Sequence, residues 1–367
     1  MDKQLKIIIS GGGTGGHIYP AVSIANALCQ KVEDVEILFV GAEGRMEMEK
    51  VPAAGYKIVG LPIVGLQRRL TWKNLLLPFK LLKSLNLAEK IIKDFKPAVV
   101  VGVGGYASGP VLRKASKLKI PTLIQEQNSY AGITNKLLAK KAHKICVAYE
   151  SMEKFFPKEK IMLTGNPVRQ DLNNIHALKK DALNFFNLDT TKKTILLLGG
   201  SLGAKTLNES ITNGLDTIEK SGYQLLWQTG KSYGEKAKQL VADKASSNIK
   251  AHDFIYRMDY AYAAADVVIS RAGAGTISEL CVVGKPCILI PSPNVSEDHQ
   301  TKNAQALVDK KAAIMVADSV VEEKLLSSAF KLVEDELQMT ELSSNIHKLA
   351  MPDAASIIAE EVLKLVK

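Results

Sequence analysis

The stretch Leu5-Lys6-Ile7-Ile8-Ile9-Ser10-Gly11-Gly12-Gly13-Thr14-Gly15-Gly16-His17 passes from a short apolar run directly into glycines. An apolar run without polar alternation marks a strand covered on both faces, as in a parallel sheet. The glycines predict a tight strand-to-helix turn. A residue without Cβ tolerates positive φ and lets main-chain N–H groups approach an anion at the positive end of a helix. Half a chain later Thr194-Ile195-Leu196-Leu197-Leu198 runs into Gly199-Gly200-Ser201-Leu202-Gly203-Ala204 in the same manner. One such turn suggests a nucleotide-binding domain; two suggest a ligand held between two of them.

Other apolar runs repeat the pattern: Ile37-Leu38-Phe39-Val40, Ala98-Val99-Val100-Val101 and Thr122-Leu123-Ile124 in the first half, Leu225-Leu226-Trp227, Val267-Val268-Ile269 and Cys287-Ile288-Leu289-Ile290 in the second. Longer amphipathic stretches separate them, so each half reads as a doubly wound α/β domain. Pro167 forces Asn166 into an extended conformation and stops any helix there, which places the domain boundary at Gly165-Asn166-Pro167. The expected domains are residues 1–166 and 167–349. Ile357, Ile358, Val362, Leu365 and Val366 share one side of a closing amphipathic stretch, and the helix they predict within 350–367 is expected to pack back on the first domain.

At 367 residues and 46% hydrophobic the chain can bury two cores. No apolar stretch reaches the roughly 20 residues of a membrane span, and Ile7-Ile8-Ile9 is too short for a signal peptide, so a cytoplasmic location is expected. Cys29, Cys146, Cys281 and Cys287 form no C-x-x-C pair and sit among apolar neighbours, which suits buried thiols. The six histidines do not pair at metal-ligand spacing and no D-x-D pair is present, so neither a metal nor another cofactor is expected.

Charge is uneven. Residues 1–168 carry 25 Lys and Arg against 13 Asp and Glu, the remainder 23 against 25. The basic residues are not interleaved with aromatic stacking residues, which argues against nucleic acid and for an anionic membrane surface. Within residues 66–96 eight basic side chains are interleaved with apolar ones. Leu66, Arg68, Arg69, Trp72, Lys73, Leu76, Phe79 and Lys80 are the expected membrane contacts, apolar groups entering the interface and cations meeting headgroups.

Four further segments bear chemistry. His17, at the start of a helix, could accept a proton from an attacking hydroxyl near neutral pH, or merely pack the turn. Gly102-Val103-Gly104-Gly105-Tyr106 forms a second phosphate-sized turn in the first half, which suggests an elongated, multiply charged ligand or is simply a tight strand-to-helix connection. Gln125-Glu126-Gln127-Asn128 follows a strand at its carboxyl end, where open α/β sheets bind ligands, and makes Glu126 a second candidate base. Arg271-Ala272-Gly273-Ala274-Gly275-Thr276-Ile277-Ser278-Glu279 offers helix-terminal N–H groups to a diphosphate and a carboxylate to ribose hydroxyls.

Taken in order, Gly11 to His17, Gly104-Gly105-Tyr106, Glu126-Gln127-Asn128, Gly165-Asn166-Pro167-Val168-Arg169, Gly199 to Ala204, Arg271-Ala272-Gly273-Ala274 and Asp298-His299-Gln300 resemble the bacterial peptidoglycan N-acetylglucosaminyltransferases across nearly the whole chain. The resemblance implies a GT-B glycosyltransferase with two Rossmann-like domains facing across a cleft, converting lipid I to lipid II by inverting transfer at the cytoplasmic face of the membrane. It implies UDP-N-acetylglucosamine and a polyprenyl-diphosphate acceptor as substrates, and other cell-wall synthesis proteins as partners. Thr14, Gly15, Gly16, Asn128, Arg169, Ser201, Ile255, Ala274, Gly275, Thr276, Ile277, Ser278, Glu279 and Gln300 would then contact the sugar nucleotide, and Gly13, Gly104, Gly105 and Tyr106 the acceptor diphosphate, with His17 or Glu126 as base. Two other readings compete. A dinucleotide-dependent oxidoreductase would use Gly11, Gly13 and Gly16 with Glu43, and a non-catalytic sugar-nucleotide-binding protein would need no base.

Overall fold

The computed structural model describes residues 4–63, 77–200, 202–244 and 246–366. Two compact units emerge, Met1–Val168 with Met351–Lys367, and Arg169–Ala350. Each is built on a parallel sheet.

Among the described residues of the first unit, β1 (Leu5–Ser10), β2 (Val35–Ala42), β3 (Lys57–Leu61), β4 (Val99–Gly102), β5 (Thr122–Glu126), β6 (Lys144–Val147) and β7 (Ile161–Leu163) pair in the order β3-β2-β1-β4-β5-β6-β7. Alternate residues of β1 serve opposite faces. Ile8 packs with Val100, Ile124 and Ile145 on one side, Ile7 and Ile9 with Val99, Val101 and Leu123 on the other. Both faces are therefore core, which is why the strand carries no polar alternation. Ser84, Ala88 and Ile92 form the buried stripe of helix Leu77–Phe95 at four-residue spacing.

The other face is closed by helix Ala354–Lys364, whose Ala355, Ile358, Ala359 and Val362 pack among Ile24, Ala25 and Leu28 of helix Gly15–Lys31. Ile358 and Val362 are completely buried, and each such burial contributes about 1.5–3 kcal/mol. Ion pairs Lys31–Glu360 (2.8 Å) and Lys144–Glu361 (3.4 Å) flank the seam.

In the second unit β8 (Thr194–Leu198), β9 (Gln224–Gln228), β10 (Ile249–His252), β11 (Val267–Ser270), β12 (Cys287–Leu289) and β13 (Ile314–Met315) pair as β10-β9-β8-β11-β12-β13. Trp227, fully buried, donates its indole N–H to Asn208 Oδ1 (3.1 Å), and Asn208 Nδ2 donates to Thr229 O (2.9 Å). This ties helix Lys205–Asn213 to β9.

The units divide two residues beyond the expected Asn166. The Asn166 side chain accepts from Gln125 Nε2 (2.9 Å) and donates to Gln127 O (3.0 Å), which anchors the Gly165-Asn166-Pro167 turn in the first unit.

Strand order reverses between β1 and β4 in one sheet and between β8 and β11 in the other. Ser10 is in register with Gly102, and Leu198 with Ser270. The loops leaving these strand ends emerge side by side, at the switch points where open α/β sheets bind ligands.

Candidate functional site

In the first unit the β1 and β4 turns interlock through their main chains. Gly12 and Gly13 adopt φ of 148° and 89°, Gly104 and Gly105 of 95° and 81°. A Cβ on Gly105 would overlap the carbonyl of Gly12, and one on Gly104 would come within 2.9 Å of the His17 imidazole. The glycines are thus required by close approach as well as by backbone conformation. Helix Gly15–Lys31 has no acidic residue in its first turn and no side chain capping its N–H groups. Gly13, Thr14 and Gly16 are exposed there, so the positive end of the helix is open to an anion.

His17 is half-buried, and its Nδ1 lies 3.1 Å from Thr14 Oγ1. Tyr106 is half exposed beside the second turn, where Ser108 Oγ caps Gly105 O (3.0 Å). The expected diphosphate contacts Gly13, Gly104, Gly105 and Tyr106 therefore lie together with Thr14, Gly15, Gly16 and His17. One qualification is structural: the Gly13 N–H is already donated to Glu47 Oε2 (2.9 Å).

Glu126 is enclosed by hydrogen-bond donors. Only 2% exposed, its carboxylate accepts Asn128 N (3.1 Å) and Nδ2 (3.3 Å) on one oxygen, and Gly132 N (3.0 Å) and Asn135 Nδ2 (2.9 Å) on the other. Burial pushes its pKa up and these donors oppose the shift. A carboxylate so enclosed holds the Asn128–Gly132 loop in shape. Gln127, hydrogen-bonded to Val103 O (2.7 Å) and to Gln125, joins this loop to the β4 turn.

In the second unit Gly200 and Gly203 adopt φ of 78° and 86°, and Gly199 N donates to Gln228 O (2.9 Å). Gly203 lies so close to Thr229 O and to Gly230 that neither glycine could carry a side chain. Ser201 lies outside the described residues. Helix Ala274–Val283 begins at an extended Gly273, again with no side-chain cap and no acid in its first turn. The first N–H groups at Ala274, Gly275 and Thr276 have no partner within the helix. Ile277 N closes the first turn onto Gly273 O (2.9 Å), and Ser278 Oγ donates to Ala274 O (3.0 Å).

Glu279, one and a half turns along, accepts Arg169 Nε (3.2 Å) and the Tyr262 hydroxyl (2.9 Å). Burial raises its pKa, and the Arg169 guanidinium works against that. Tyr262 is completely buried, so Glu279 is held from both sides. Gln300 Oε1 accepts Ser292 N (2.9 Å), and the Ile255 N–H goes to Gln228 Oε1 (3.0 Å), next to the β8 turn. Arg271 binds Asp318, Ile290 O and Thr206 Oγ1 (2.8 Å), clamping the β11 turn to the start of helix Lys205–Asn213.

Tyr262 and the clamping role of Arg271 had no signal in local sequence pattern, and Glu47 only the indirect one of a glycine, Gly41, inside β2. Among the described residues no group of three His, Cys, Asp or Glu side chains is placed to hold a metal ion. Of the expected membrane contacts, Leu66, Arg68, Arg69, Trp72, Lys73 and Leu76 lie outside the described residues, whereas Phe79 is 71% exposed on helix Leu77–Phe95.

Two parallel-sheet Rossmann-like domains with paired loops at each switch point define the GT-B class of glycosyltransferases. The chain belongs to glycosyltransferase family 28: residues 7–147 match the family's N-terminal domain and residues 194–358 its C-terminal domain. A protein of Phocaeicola vulgatus is 60% identical over 366 residues, covering 100% of this chain and 97% of its own. One of Bacteroides thetaiotaomicron is 60% identical over 367 residues, covering 100% and 99%. Both are named UDP-N-acetylglucosamine--N-acetylmuramyl-(pentapeptide) pyrophosphoryl-undecaprenol N-acetylglucosamine transferase. Among solved structures, MurG of Acinetobacter baumannii superposes with a TM-score of 0.79 at 30% identity, covering 98% of this chain and 99% of that one. Family membership sets the oxidoreductase reading aside, and the relatives' names favour a transferase over a non-catalytic binder.

Proposed function

We propose that the chain transfers N-acetylglucosamine from UDP-N-acetylglucosamine to the C4 hydroxyl of N-acetylmuramic acid carried on undecaprenyl diphosphate, turning lipid I into lipid II in peptidoglycan synthesis. The end-to-end 60% identity with relatives named for that reaction carries the reading. The first unit takes the acceptor, its diphosphate at the Gly13 and Gly104–Gly105 turns; the second takes the nucleotide.

In this reaction the acceptor oxygen attacks C1 of the donor sugar from the face opposite the leaving group. The bond from C1 to the UDP oxygen breaks, and configuration inverts to a β-1,4 link. The hydroxyl proton passes to His17 Nε2. His17 Nδ1 lies 3.1 Å from Thr14 Oγ1, and the tautomer in which Nδ1–H donates to that hydroxyl is the one that puts the lone pair a base requires on Nε2. The electron pair leaves on the diphosphate, whose charge meets N–H groups at Ala274 to Thr276, the turn around Ser201, and the helix dipole behind them. Glu279, steadied by Tyr262 and Arg169, receives ribose hydroxyls; Gln300 and Asn128 orient the sugar. With its N–H engaged by Gln228, Ile255 reads the uracil edge through its carbonyl.

Incubating the full chain with labelled UDP-N-acetylglucosamine and a lipid I analogue should yield the β-1,4 disaccharide and UDP. Tight donor binding without transfer would overturn the assignment. Docking at the cytoplasmic face of the membrane rests on Phe79 and Leu82, 71% and 59% exposed beside Lys80 and Lys83 on helix Leu77–Phe95. No helix among the described residues is long and apolar enough to cross a membrane. Sedimentation with anionic vesicles should weaken as salt rises; indifference to both lipid charge and salt removes this contact.

A further inference from the structure

A carboxylate is buried directly beneath the anion-binding turn. Glu47 is 1% exposed, and its Oε1 accepts Ala42 N (3.0 Å) while Oε2 accepts Gly13 N (2.9 Å). Among the described residues no Lys or Arg forms an ion pair with it. The chain makes room for this group at two glycines: a Cβ on Gly12 would overlap the carboxylate, and one on Gly41 would come within 2.6 Å of its Cγ. The next acid on the same helix, Glu49, lies with its side chain 78% exposed.

This arrangement costs the turn one of its own donors and sets a negative charge near an expected diphosphate, so recruiting an anion cannot be its purpose. Its effect is on shape. Oε1 is fixed to the end of β2 and Oε2 to the turn, which pins Gly12 and Gly13 at the positive φ they adopt. Gly12 in turn is packed against Gly105, and Gly104 against His17. We infer that Glu47 is a positioning residue: through two main-chain N–H groups it fixes the Gly12–Gly13 turn in the form that accepts the acceptor diphosphate. The inference rests on the proposed acceptor role of the first unit.

Glu47→Gln keeps size and shape but offers one acceptor and one NH2 group to two N–H donors, so one of them faces another donor. Farnesyl diphosphate binding by calorimetry and the acceptor KM should weaken about tenfold or more, the scale of a lost charge-assisted hydrogen bond. The Kd for UDP alone, which lacks the sugar that Thr14 to Gly16 and Asn128 would meet, should stay within about twofold, because the second unit is untouched. If Glu47→Gln does not fold, Glu47→Asp retains the charge and reaches one amide only, and it should show the same split between acceptor and donor at smaller size. Unchanged acceptor and farnesyl diphosphate binding in a folded variant overturns the inference, as does equal weakening of donor and acceptor. A wild-type chain that binds farnesyl diphosphate in a Glu47-dependent manner yet transfers no sugar would sink the proposed reaction and leave this inference standing.

Discussion

The β1 and β8 turns start from nearly the same recipe, an apolar strand followed by glycines, and are supported by different means. The first is held from below by the Glu47 carboxylate and from the side by a second glycine turn, and it carries an imidazole at the start of its helix. The second is held by contact with the Thr229–Gly230 main chain, while Arg271 and Asp318 clamp the start of the helix that follows. Two matching loops can therefore do unlike work. The difference lies in what packs behind the backbone, a buried carboxylate at the first turn and a strand-end main chain at the second.

The sharpest test of that difference is His17→Ala. General-base assistance is typically worth about a hundred- to ten-thousandfold, so kcat should fall by at least the lower figure while calorimetry finds UDP-N-acetylglucosamine bound as before. Turnover near wild type would reduce His17 to a packing residue. Next in size is Ile358→Ala, which empties a fully buried site in the first unit. Large-to-small changes of this kind cost about 2–5 kcal/mol, and hydrogen exchange should register the loss in the first unit while protection of the second unit's β8 and β9 is unchanged.

Glu279→Gln keeps the shape but weakens the bond with Arg169. The donor KM should rise roughly tenfold, about 1.4 kcal/mol, with acceptor KM unmoved, the mirror image of the result expected at Glu47. Smallest is a pH effect. Burial holds the Lys285 ammonium down to about 8, although it donates to Ala265 O (2.6 Å). An unfolded lysine stays protonated to about 10.4, so above pH 8 the unfolded chain binds more protons there and stability contributed by this site rises with pH. Between pH 7 and 9 the wild type should gain about 1 kcal/mol or less relative to Lys285→Met in denaturant titrations. A loss over that window would reverse the sign of the argument.

Sheets, turns and the returning helix were legible because each rests on local pattern: Ile7 to Ile9 without alternation, glycines where positive φ is needed, and an apolar stripe through Ile358 and Val362. Side-chain burial that depends on distant partners was not. Glu47 and Glu49 stand two residues apart in one polar segment, and only the absent side chains of Gly12 and Gly41 decide which is enclosed. Gly41 inside a strand was the available hint, since a glycine there often marks a close approach. Glu126 was visible as a carboxylate at a strand end, but the donors that enclose it come from Asn128, Gly132 and Asn135, around a bend that spacing does not reveal. Tyr262 lies in an alanine-rich helix whose pattern says only that it is inside.

Because helix Ala354–Lys364 seals the sheet laid down by the earliest strands, the lobe that a ribosome begins first is the one it finishes last. The middle of the chain can fold as soon as it emerges, while the leading portion must wait, its oily flank uncovered, for a helix that follows the whole second unit. Removing helix Ala354–Lys364 would strand that flank in water, so damage done late in the sequence would surface on the strands laid down earliest.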